Sequence, residues 1–230
     1  MSVTTTGLTK ASGIAAAAAG AIFVAVQINH PGIDTFLTDT NEWVVRCTAK
    51  ALMCGLALAG ITGMYLRQVR QMRVLGLVGY LMFATGYLLM LCTVMMAAVF
   101  LPALTGSEPQ FVNDVVAANE GGKVVGSIGH LQVLFGITGA FYMLGGLVFG
   151  IAMFRAGVLA RWAAALLAAS TIGTAALAVL PSIFNRPMAV PEGIALIGLG
   201  ISLYRLERPA SAALVHGTAE VVDGEQAAVR

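Results

Sequence analysis

The chain has 230 residues, of which 58% are hydrophobic and 10% charged, with a formal net charge of +2 and a mean hydropathy of +0.87. Soluble chains are about a quarter charged, so this composition excludes a water-soluble domain and reads as an integral membrane protein. The small net charge, with no basic run interleaved with aromatics, excludes a nucleic-acid partner.

A spanning helix needs about 20 mostly apolar residues, and six stretches meet that length, at about 11–29, 44–66, 74–101, 126–154, 158–181 and 190–205. The runs are too long, and lack the alternation, for the strands of an outer-membrane barrel. The start of the chain superficially resembles a signal peptide. Its apolar part is too long, and no small-residue cleavage site cleanly precedes "QINHPG", so it reads as span one. That span ends in Gln27, Asn29 and His30, before Pro31 and Gly32 break the helix.

Span two begins with Arg46 and Lys50, four apart and therefore on one face. Arg46 can snorkel to the surface, whereas Lys50 lies one turn deeper and calls for a carboxylate or carbonyl partner. Span three carries Met90, Met95 and Met96, an adaptable apolar surface. In the loop that follows, Phe111 and Val115, with Val112 and Val116 beside them, form one apolar face. This predicts a short helix at the membrane surface. Gly121–Gly122 then offers a joint on which that helix can act as a lid.

Span four opens in "GSIGHLQ", which sets His130 and Gln132 in its first turns among Gly126, Ser127 and Gly129. Such small residues allow a neighbouring helix to approach closely. Arg186 precedes span six, and Glu192 follows Pro191 in its first turn, where a carboxylate suits the helix dipole. Residues 1–208 thus form a six-span, all-α transmembrane bundle, and 209–230 lose the apolar run and read as a flexible cytoplasmic tail.

The basic loop residues fall on one side of a six-span arrangement: Lys10, then Arg67, Arg70 and Arg73, then Arg155 and Arg161, then Arg205 and Arg208. Asp34, Asp39, Glu42, Glu108, Asp114 and Glu120 fall on the other. The positive-inside rule then puts both termini in the cytoplasm of a bacterial cell, the protein lying in the inner membrane. Segments ending "GMYLR", "IAMFR" and "ISLYR" repeat an aromatic followed by arginine, the pattern of an inner interface.

The element "GIAMFRAGVLARWAAALLAASTIG", with "LYRLERP" at the end of the last span, resembles the DUF4386 family of bacterial multi-span proteins. Val158–Leu159–Ala160–Arg161 stands where that family has a "G-aromatic-L-P-R" segment, without its proline or aromatic. The family is uncharacterised, so the resemblance implies a six-span layout and no catalytic residue.

Polar groups inside a bilayer are expensive and each needs an account. Gln27, Asn29, His30, Arg46, Lys50, His130, Gln132 and Glu192 all fall in the outer halves of the spans. Together they predict an outward-facing polar vestibule for a small anionic or amphiphilic molecule, which the protein binds or transports, with Lys50 and His130 in one network. No nucleotide loop, GxSxG or HExxH appears, so the reading leans away from an enzyme. No cofactor is expected. A competing reading makes His30 and His130 haem ligands in a haem- or quinone-associated redox protein. Another makes the chain a structural or regulatory subunit without its own ligand. Cys47, Cys54 and Cys92 form no metal or redox pattern. Gly146 and Gly150 form a GxxxG step, and Gly60/Gly63, Gly76/Gly79 and Gly136/Gly139 recur at three. Such residues line helix contacts in the bundle or a homo-oligomer.

Overall fold

The computed structural model describes residues 4–32, 35–173 and 189–206. Asp34, Arg186, most of the loop before span six, the end of span five and the proposed tail lie outside the described residues. Within them the chain is all helical: α1 (Thr5–Ala25), α2 (Thr40–Val99), α3 (Leu101–Leu104), α4 (Pro109–Asn119), α5 (Leu131–Ala156), α6 (Arg161–Gly173) and α7 (Val190–Leu206). Four segments are long and apolar enough to cross a membrane: Thr5–Ala25, Thr40–Arg67, Val69–Val99 and Leu131–Ala156. They correspond to the first four expected spans. Helix α6 is described over 13 residues and α7 over 17.

The expected second and third spans are two arms of α2, folded back on each other as a hairpin. The bend lies at Gln68 (φ −132°, ψ 23°) and Arg73 (φ 52°, ψ −147°). Positive φ at a residue with a side chain costs about 1–3 kcal/mol. It is held here by contacts between the arms: Thr62 bonds the Tyr80 hydroxyl at 3.0 Å, and Tyr65 stacks on Tyr80 with centroids 4.6 Å apart.

The first arm of α2 packs on α1, the second on α5, and α7 closes against α1. At the α1–α7 contact a side chain on Gly13 would strike the Gly200 carbonyl, and one on Gly20 the Gly193 carbonyl. A side chain on Gly86 would likewise strike the backbone at Tyr142. Small residues are what let membrane helices come this close. The GxxxG step packs on α6 as expected, Gly146 against Thr171 and Gly150 against Ala168, whereas Gly136 and Gly139 face open space.

The core has two parts. The larger runs through the bundle and holds Phe83, Tyr87, Tyr142 and Phe149. The smaller caps the end opposite the arginines and joins Phe36, Trp43 and Cys47 to Val112, Val115 and Val116 of α4. The expected short helix therefore forms, its apolar face turned onto the bundle.

Candidate functional site

At the capped end the polar residues around "QINHPG" split by role. Asn29 has a φ of 49° and turns the chain away from α1, a conformation asparagine tolerates better than most residues. The carbonyls at the end of a helix have no partner within it, and Arg46 supplies one. Its guanidinium donates to the carbonyls of Val26, Ile28 and Asn29 at 2.9–3.0 Å and to Glu42 at 2.6 Å. Gln27 is half-buried in the same turn. These contacts fix the end of α1.

His30 Nδ1 lies 3.0 Å from the Pro31 carbonyl oxygen. That oxygen only accepts, so Nδ1 carries the ring proton and Nε2 is an acceptor. Lys50 Nζ donates to Nε2 at 3.1 Å and lies 4.0 Å from Glu120 Oε1. Trp43 meets the imidazole edge-on, with centroids 5.0 Å apart. The partner expected for Lys50 is thus present, a histidine and a carboxylate brought from separate loops. Both charged side chains are largely withdrawn from solvent, at 15% and 10% exposure.

His130 and Gln132 do not join them. Helix α5 begins at Leu131, so His130 is its cap and Gln132 its second residue, and both are exposed. The residues before them form a loop. Asp114 of α4 accepts the amides of Val125 and Gly126, both at 2.9 Å, and Gly129 turns with a φ of 60°. The small residues Gly126, Ser127 and Gly129 serve this loop and not a helix contact, which corrects the expected start of span four and the expected Lys50–His130 network. The Val125 amide, with the Gly126 amide and the Gln110 side chain, holds the Asp114 carboxyl below its ordinary value.

Glu192 lies in the first turn of α7, where the sequence sets it, and is only 1% exposed. The Tyr87 hydroxyl donates to its Oε1 at 3.2 Å, and the buried Tyr142 ring packs against Tyr87. Tyr87 sits about 18 Å along its helix from Val99, and Tyr142 about 16 Å from Leu131. The tyrosine rings pack edge to face at 5.5 Å. Phe83 lies against both, and Phe149 against Phe83, so aromatic groups close the carboxyl off towards the arginine end. On the other side Cys54, fully buried one turn below Lys50, lies within electrostatic range of Lys50 and both tyrosines.

The two tyrosines were not among the residues expected from sequence. The signal that could have found them is the carboxyl itself, since a buried Glu needs hydroxyl or cationic donors. Among the described residues no three His, Cys, Asp or Glu side chains gather as metal ligands would. Both nitrogens of His30 are engaged within the protein. Among the described residues a small cavity of about 20 Å³ lies between Phe36, Trp43, Thr93 and Asn119, room for about one water.

These features define an all-helical bundle that has, among its described residues, four helices long and apolar enough to cross a membrane and a carboxyl buried between helices. No protein-family model, curated protein or solved structure matches the chain.

Proposed function

We propose that the protein is a membrane transport protein that carries protons, or a small cation in their place, with Glu192 as the central exchanging group. One observation carries this reading: a carboxyl shielded from solvent inside the bundle and held by the neutral hydroxyl of Tyr87. Ionisable residues in that position are expensive and mark ion or proton pathways. A purely structural link between α2, α5 and α7 could use an amide or a hydroxyl at lower cost. Arg46 and Lys50, the cations expected to attract an anion, are engaged by Glu42, Glu120, His30 and backbone carbonyls. That favours a proton or cation over the anionic ligand.

Cys54 and Lys50 continue the polar path towards the capped end, and α4 covers it. Opening there means lifting α4 about Gly121 (φ 77°) and Gly129, which releases the Asp114 bonds. The vestibule is the space that this movement uncovers. In this reading the arginine-rich end faces the cytoplasm of a bacterial cell, as the positive-inside rule requires, and the fifth and sixth spans complete the layout shared with the resembled family.

The test is proton flux in proteoliposomes containing a pH-sensitive dye, under an imposed pH gradient with potassium and valinomycin clamping the potential. Wild-type protein should dissipate the gradient several-fold faster than empty liposomes. Glu192→Gln, which keeps the shape and hydrogen bonding but not the exchangeable proton, should fall to the empty-liposome rate. Wild-type flux equal to that of empty liposomes rejects the proposal and leaves the structural-subunit reading standing.

A further inference from the structure

A cleft of about 740 Å³ lies between the first half of α1 and the arginine end of the first arm of α2, within the size range of small-molecule sites. Its polarity is graded along the helix axes. Thr5, Thr6 and Arg67 stand at the helix ends, while Leu58 and Ala59 line it about 12–13 Å deeper, at about 1.5 Å per residue. Leu8 and Leu66 form its flanks and are 57% and 64% exposed. Such apolar side chains on the outside of a membrane bundle face acyl chains, so the cleft opens sideways into lipid. Its floor is the contact of Ser12 with Gly63, too close for a side chain at 63.

Among the described residues lining the cleft none is acidic, and Arg70 and Arg73 stand exposed in the bend just beyond Arg67. Basic residues at a membrane surface attract anionic lipids. A site that is cationic and hydroxyl-rich at the surface and apolar towards the middle has the polarity profile of a membrane lipid. We propose that this cleft binds an anionic phospholipid of the leaflet at the arginine end. Arg67 and the Thr5 and Thr6 hydroxyls face the phosphate, and an acyl chain runs along Leu58 and Ala59. The Thr9 hydroxyl proton is committed to the Thr5 carbonyl at 3.0 Å, so Thr9 contributes no donor. This site is separate from the central carboxyl and does not depend on its role.

The experiment uses the full-length protein in nanodiscs of phosphatidylcholine mixed with phosphatidylglycerol, with native mass spectrometry of the lipid that stays bound on release. Wild-type protein should retain phosphatidylglycerol in preference to phosphatidylcholine. Arg67→Gln should reduce that retention about fivefold, the worth of one basic side chain at an anionic surface. Leu8→Trp, which fills the cleft from its exposed flank, should remove the preference. Arg205→Gln, at the same end on α7 but not lining the cleft, should leave it intact. Equal retention of the two lipids by wild type overturns the proposal, and so does Arg67→Gln behaving like Arg205→Gln. Retention that survives in Leu8→Trp overturns it as well. Proton flux measured on Arg67→Gln should stay at the wild-type rate, so failure here and failure of the transport proposal are distinguishable.

Discussion

The capped end and the middle of the bundle solve the problem of polar groups in opposite ways. At the end, cations meet anions and carbonyls: Arg46 with Glu42 and the end of α1, Lys50 with Glu120 and His30. In the middle a single carboxyl is met by the hydroxyl of Tyr87, with the Tyr142 ring packed beside it. A charge that already has its counter-charge mainly fixes geometry. A carboxyl met by a neutral donor keeps the choice of holding a proton or releasing it, and a pathway requires that choice.

Exchanging the two kinds of group should separate function from stability, and the largest effect is on function. Glu192→Gln should abolish proton flux while leaving the thermal unfolding of detergent-solubilised protein nearly unchanged. Arg46→Ala should do the reverse, lowering stability by about 2 kcal/mol, since bonds to a charged donor are worth about 1.5–3 kcal/mol, with flux per folded molecule retained. If Arg46→Ala abolishes flux in protein that melts normally, the capped end takes part in transport and the division fails. Lys50→Met should cost about 1–2 kcal/mol, because it removes the donor to His30 and the cation beside Glu120 in a half-buried position. A denaturant titration reads this directly.

The smallest effect falls on the α4 latch. The folded-state value of Asp114 is depressed, so its contribution is fully present above the ordinary value of 3.8 and is lost as pH falls below that through the folded value. Asp114→Asn should speed amide exchange of Val125 and Gly126 at neutral pH without moving the global melting point. Unchanged exchange at those two amides would remove Asp114 as the latch.

Hydropathy made the first four spans legible, and the four-residue spacing of Phe111 and Val115 made α4 legible, because both are local properties. Basic residues beside apolar runs likewise marked the bend at Arg67–Arg73. The error at His130 is instructive: "GSIGH" has the composition of a close helix contact and also of a loop. What decides is Asp114, a dozen residues earlier, which captures the amides of Val125 and Gly126. Lys50 was expected to need a partner, but Glu120 lies seventy residues on, and no periodicity connects them. Glu192 and Tyr87 are separated by more still. A sequence shows that a carboxyl will be expensive where it sits, but not which distant hydroxyls the fold brings to it.

The glycine contacts of α1 have a consequence for biosynthesis. Helix α1 is made well before α7, which it meets through Gly13 and Gly20 against Gly200 and Gly193. During translation α1 therefore stays in the membrane with a bare backbone strip that only lipid covers. Glu192 sits beside Gly193 on α7, so the step that covers this strip also delivers the carboxyl to its tyrosines.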